Sequence, residues 1–197
     1  MIELQKGVPL IDQHDEQGFW GPFGGTQVAE SLIQPINELT EEFEKLRYDE
    51  SFIAERDYYF NNLIGAPTPF FKLNNLTKHL GGAQIYCKLV SKATGGAHKA
   101  YNALVHCLIA KRLGKDYVGG DTGAGYAGKM LAMYGAATGR KIKIFMGAKD
   151  IERQALNVFS MKSYGAEIVP VYDGSQTLIN AVSSAMRWWT SENATSH

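Results

Sequence analysis

From residue 85 onward one pattern repeats four times: a short apolar run, a glycine-bearing joint, and a longer amphipathic run. The periodicity predicts strands over 85–89, 117–120, 142–146 and 168–171, each followed by a helix, over 100–113, 126–138, 151–164 and 175–189. Gly114, Gly139 and Gly165 stand where the first three helices should stop. Thirteen of the 21 glycines fall between Gly81 and Gly147, most of them at joints between the periodic segments. Strands alternating with helices of about 10 to 15 residues predict βαβ units and a parallel sheet, hence an α/β fold. Ligands of such sheets bind beyond the carboxyl ends of the strands, which directs attention to the joints after Leu89, Gly120 and Met146.

Upstream, Leu32, Ile36, Leu39, Phe43 and Leu46 step by four and three, predicting an amphipathic helix over 30–47. The aromatics Tyr58, Tyr59 and Phe60 lead into Pro67, Thr68 and Pro69, where a loop is expected because each proline removes a donor and restricts its predecessor. The chain has 197 residues, 45% of them apolar, enough for one ordinary domain or two small ones. With 20 basic and 20 acidic side chains it lacks the basic excess of a nucleic-acid binder. No apolar run approaches membrane-spanning length, and Glu3, Lys6 and Pro9 do not suit a signal peptide, so a cytoplasmic protein is expected. Cys87 and Cys107, 20 positions apart among apolar neighbours, fit neither a metal spacing nor a disulfide framework and read as core thiols. The aromatic and sulfur side chains of the second half, Met130, Tyr134 and Met161 among them, read likewise as core or interface.

Gly123, Gly125 and Gly128 spell a dinucleotide-type glycine pattern after a strand and before a helix, but the next strand ends in Met146 and Gly147 without the acidic residue a ribose needs. The same stretch approaches a P-loop, with Lys129 in place and Met130 where a magnesium-holding hydroxyl belongs, which excludes that reading. A second joint, Thr94, Gly95, Gly96, Ala97, His98, Lys99, opens the helix predicted from residue 100. Backbone N–H groups at a helix start favour anions and disfavour an ammonium, which makes a lysine there a candidate Schiff-base former. A solvated lysine behind a capping Thr94 is the plainer alternative. Asp121, at the end of the following strand, is either a partner of Lys99 in one site or the N-cap of the helix from Tyr126.

At GGAHK, DTGAG, MGAKDIERQALNVF and MKSYGAEIVPV the sequence resembles the tryptophan synthase beta chain, a fold-type II pyridoxal-phosphate enzyme family. The likeness begins at GPFGG (residues 21–25), passes through DYYFNNLIGAPTP and HLGGAQIYCK, and covers nearly the whole chain. It implies β-replacement of L-serine with indole to give L-tryptophan. It implies that Lys99 joins pyridoxal 5'-phosphate as a Schiff base and moves the serine α-proton, and that His98 lies against the cofactor phosphate. Thr122, Gly123, Ala124 and Gly125 would bind the amino-acid carboxylate through backbone N–H groups, and Asp121 would serve as the acid/base beside them. The implied partners are an alpha chain and a second beta chain. Residues 1–197 would form an N-terminal beta-like domain, in which 114–190 corresponds to the mobile communication subdomain.

The resemblance also marks departures. Asp121 stands where the family has Glu, Tyr126 and Ala127 replace Gln-His, Ala66 replaces Arg, and Lys88, Leu89, Val90 and Ser91 replace Lys-Arg-Glu-Asp. Family chains are roughly twice as long, so the C-terminal cofactor-binding half is expected to be missing, with its phosphate cradle and cation site. Weak cofactor binding follows as an expectation, since such enzymes hold both the phosphate and the ring nitrogen. A non-catalytic beta-like regulatory or interaction protein is the alternative. Leu178, Ile179, Val182, Met186 and Trp189 on the last helix are expected to leave apolar surface exposed.

Overall fold

The computed structural model describes residues 6–9, 12–15, 17–192 and 196–197. Its centre is a parallel three-stranded sheet in the order β5 (Tyr117–Asp121), β6 (Lys141–Gly147), β7 (Glu167–Val171), with Val118 opposite Ile142 and Ile144 opposite Ile168. The middle strand is buried from Ile144 to Gly147, where both faces are covered, while Lys141 and Lys143 occupy one face at its start. Ile142, Ile144 and Met146 join the main core with α4 (Lys99–Arg112), α5 (Tyr126–Thr138) and α7 (Ala155–Ser163), where Leu104, Leu108, Met130, Tyr134 and Met161 are fully buried. Phe145, pointing the other way as strand alternation demands, packs with Val171 and Ala181 under α8 (Leu178–Ser191). The expected α/β fold with a parallel sheet is present.

Ahead of the sheet come a short hairpin of β1 (Phe19–Trp20) and β2 (Phe23–Gly24), then α1 (Glu30–Leu46) and α2 (Glu50–Tyr59). On α1 the predicted face is seated through Leu32 and Leu46, which are buried, and Leu39, which packs on the main core. A π-helical turn, Phe60–Ile64, then buries Ile64 completely. β3 (Phe70–Lys72), α3 (Asn74–Leu80) and β4 (Tyr86–Lys88) follow.

Three expectations are corrected. The strand predicted over 85–89 does not join the parallel sheet; it is β4, paired antiparallel with β3 as a separate two-stranded sheet. The start of the β5 edge on that side is taken instead by Ser196 and His197, with His197 N–H donating to the Tyr117 carbonyl at 3.0 Å and Gly119 N–H to the His197 carbonyl at 2.7 Å. The single helix predicted over 151–164 is two, α6 (Ala148–Arg153) and α7, because Gln154 leaves helical geometry at φ −115°, ψ 33°. The last helix starts at Leu178 rather than residue 175, since Gln176 takes a positive φ of 59° and Ser175 is tied to the Asn180 side chain. Of the two cysteines expected as core thiols, Cys107 is buried in the core, whereas Cys87 is only half-buried on β4, whose two-stranded sheet stands outside that core.

Candidate active site

Lys99 is the first residue of α4, and one face of that helix, Lys99, Asn102, Ala103 and His106, walls a cleft of about 430 Å³. The opposite wall includes Gly119, Gly120 and Asp121 of β5, Ala127, Gly128 and Leu131 of α5, and Trp188 and Trp189 of α8. β5 can carry two glycines here because Trp188 and Leu131 press on the places where their Cβ atoms would be. Lys99 and Asp121 thus face one space, although not by adjacent strand ends: α4 packs beside α5 and β5 and delivers Lys99 there.

The capping alternative for Asp121 fails on geometry. The helix start is capped by Thr122, which is 3% exposed; its Oγ1 accepts from the Gly125 N–H at 3.1 Å and the Gly128 N–H at 3.4 Å. Thr122 N–H itself donates to the Phe145 carbonyl. Asp121, half-buried at the strand end, is left to the cleft. Gly125 has φ +88°, and a Cβ there would lie 2.6 Å from Asn157 Cβ. That asparagine donates through Nδ2 to the Ala124 carbonyl at 2.8 Å. Among the described residues, the N–H groups of Gly123 and Ala124 have no such internal partner, so they are the donors this loop offers to a ligand. His98 is exposed ahead of α4 and does not line the cleft, and Tyr126 turns away from it while Ala127 faces it.

Several contributors were not read from the sequence. Asn157, inside the quoted MGAKDIERQALNVF motif, braces the loop from α7, and the break at Gln154 begins that helix one turn before it. His106 Nδ1 and His197 Nε2 meet at 3.2 Å in the cleft wall. Burial lowers both imidazoles, that of His197 to about 4, with His106 and the Lys115 ammonium adding to the effect. Lys115 is itself buried and paired to Glu38 of α1 at 2.9 Å. Burial also pushes the Cys107 thiol up to about 12, which keeps it an inert core group.

A primary amine and a carboxylate facing one cleft of an open α/β sheet define a class of site suited to Schiff-base chemistry on amino acids. Residues 62–195 match the family described as pyridoxal-phosphate dependent enzymes, and the chain belongs to that family. It is 45% identical over 175 residues to the tryptophan synthase beta chain of Ruegeria pomeroyi, a match that takes in 89% of this chain and 42% of that protein. The chain therefore spans less than half the length of that relative. In structure it is similar to a pyridoxal 5'-phosphate-dependent aspartate racemase, at a TM-score of 0.53 and 18% identity, over 74% of this chain and 44% of the other. That likeness concerns the fold alone.

Lys99 gives the cleft lining a primary amine, the group that the aldehyde of pyridoxal phosphate would need. For the phosphate end its described lining offers, besides Lys99, only the two imidazoles as basic groups, and burial holds both neutral near pH 7. Among the described residues no helix is long and apolar enough to cross a membrane.

Proposed function

We propose that this chain carries the reactive-lysine portion of a tryptophan synthase beta-type enzyme, acting on L-serine and indole to form L-tryptophan in the cytoplasm. The observation that carries the reading is the shared cleft of Lys99 and Asp121, in a chain 45% identical to such a beta chain over 89% of its length. Bound pyridoxal phosphate supplies an electron sink for the charge left on the serine Cα. Lys99 supplies the amine that holds the cofactor and the base for the serine α-proton. The N–H groups of Gly123 and Ala124 take the serine carboxylate, with Thr122 and Gly125 shaping the loop that presents them. Asp121 delivers a proton to the departing hydroxyl. Its side chain is one methylene shorter than the glutamate implied by the resemblance, which sets this step as the slow one, because a displacement of about 1 Å can cost about a hundredfold.

His98 is assigned to the cofactor phosphate from outside the cleft wall. The region 114–190 is assigned as the moving cover of the site, a reading supported by the fact that β5, β6, β7 and α5 to α8 lie within it or end one residue beyond. An alpha chain and a second beta chain are its proposed partners; Leu156 and Phe159 on α7 and Ile179 on α8, exposed by 79%, 68% and 71%, offer apolar surface for such contacts.

The test is exchange of the serine α-proton in deuterium oxide, followed by NMR with the chain and pyridoxal phosphate. Exchange above the free-cofactor rate, abolished by Lys99→Ala, is the expected result. Equal exchange in both proteins would remove Lys99 from the chemistry.

A further inference from the structure

Tyr126, Met130 and Tyr134 are spaced by four along α5 and share one of its faces. Each meets a different residue of the loop that leads into Lys99. The Tyr134 hydroxyl donates to the Thr94 carbonyl at 3.0 Å. The Met130 sulfur occupies the place a Cβ on Gly95 would take. The Tyr126 hydroxyl, buried and without a fully formed hydrogen bond, faces the backbone N–H of Ala97. From the other side the Thr94 N–H donates to the Ile64 carbonyl at 2.9 Å. The peptide groups flanking Thr94 are pinned in both directions while its side chain stays exposed.

The strip is rooted in the core, since Met130 and Tyr134 have no exposed surface. Burial raises the Tyr134 phenol to about 12, so it remains a hydrogen-bond donor throughout the neutral range. The loop it holds would otherwise be loose: Gly95 and Gly96 take φ values of +102° and +89°, and glycine pairs have many alternatives to any one conformation. One helix therefore serves both glycine loops. Its N-terminus continues the loop capped by Thr122, and its flank holds the loop that ends at Lys99.

We infer that Tyr126, Met130 and Tyr134 form a positioning strip that aims the Lys99 amine into the cleft toward Asp121. The inference rests on the reading of Lys99 as the cofactor lysine and names what orients it. None of the three residues lines the cleft, so the effect of the strip passes through the 94–97 loop. Losing it should therefore slow reactions that require the amine at a set place in the cleft and spare reactions that require only an accessible amine.

Two reagents separate these. Pyridoxal phosphate followed by borohydride reports capture inside the cleft, and trace acetic anhydride reports simple accessibility, both read at Lys99 by peptide mass spectrometry on the 197-residue chain. Tyr134→Phe keeps the ring and removes one hydroxyl; the ratio of capture to acetylation at Lys99 should fall about tenfold, within the range for misplaced reacting groups. Tyr126→Phe, the milder change, should lower it about threefold on the same grounds and decides the matter if Tyr134→Phe does not fold. Ratios equal to the unaltered chain, with that chain capturing cofactor at Lys99, overturn the strip and leave the lysine reading standing. If the unaltered chain captures no more cofactor at Lys99 than at its other lysines, both are overturned.

Discussion

The two glycine loops of the cleft reach similar ends by opposite means. The 122–125 loop is closed chiefly by its own sequence: Thr122 turns inward and accepts from two N–H groups of the helix start that follows it, and Asn157 of α7 adds one brace at the Ala124 carbonyl. The 94–97 loop makes one local bond, from Gly96 N–H to the Ala93 carbonyl, and is otherwise held by residues distant in the chain, Ile64 on one side and Met130 and Tyr134 on the other. A self-capped loop is as stable as its own side chain makes it. A clamped loop is as well placed as the elements around it, so the position of Lys99 depends on how Ile64 and α5 pack about the loop.

The largest difference should appear on removing a threonine hydroxyl from each loop. Thr122→Val strips a buried acceptor from two N–H groups and should cost about 3 kcal/mol, from the usual penalty for leaving buried donors unsatisfied. Thr94→Val alters an exposed side chain and should stay within about 0.5 kcal/mol. Denaturant unfolding of the two variants measures both, and similar losses would show that the loops are held alike.

Acid should separate the two sides of the cleft further, with a smaller effect. His106 and His197 stand at the far end of the α4 face from Lys99, and both are held below the ordinary histidine value by burial. The folded form therefore prefers neutral imidazoles. Their contribution is complete above about pH 6.5, the unfolded value, and is lost as the pH falls toward about 4, the value for His197. Protonation also places positive charge beside the Lys115 ammonium, which the Glu38 carboxylate opposes only in part. The loss should be on the order of 2 kcal/mol. Hydrogen exchange should show the Gly119 amide, bonded to His197, opening first, with the Gly125 and Gly128 amides under Thr122 still protected. Uniform opening of all three would contradict the assignment of the acid response to the imidazole pair.

The strand and helix periods made most of this fold legible. Gly139 and Gly114 mark the ends of α5 and α4, and the bounds of β5, β6 and β7 follow from their apolar runs within a residue or so. β4 was legible as a strand, but its partner was not, because β3 is only three residues long and follows the proline-rich stretch that reads as a loop. In the site, Lys99 and Asp121 stand out as charged residues at the ends of apolar segments. The residues that place them do not. Tyr134 has the spacing and burial of a core aromatic, and only its hydroxyl, bonded to a carbonyl 40 residues away, gives it another task. Asn157 is similar: an ordinary polar helix residue by pattern, it braces the Ala124 carbonyl across 33 residues. Partners set by tertiary packing leave no local period to read.

The central claim is that Lys99, held by the clamped loop, is the cofactor lysine of this chain. Its most direct test is to saturate the chain with pyridoxal phosphate, reduce with borohydride and map the modified peptide. One modified residue, Lys99, with a saturable visible band that disappears in Lys99→Ala, is the predicted result; binding should be weak, because the described cleft lining adds no second cation for the phosphate. Modification spread over the exposed lysines, with a band unchanged in Lys99→Ala, would contradict it.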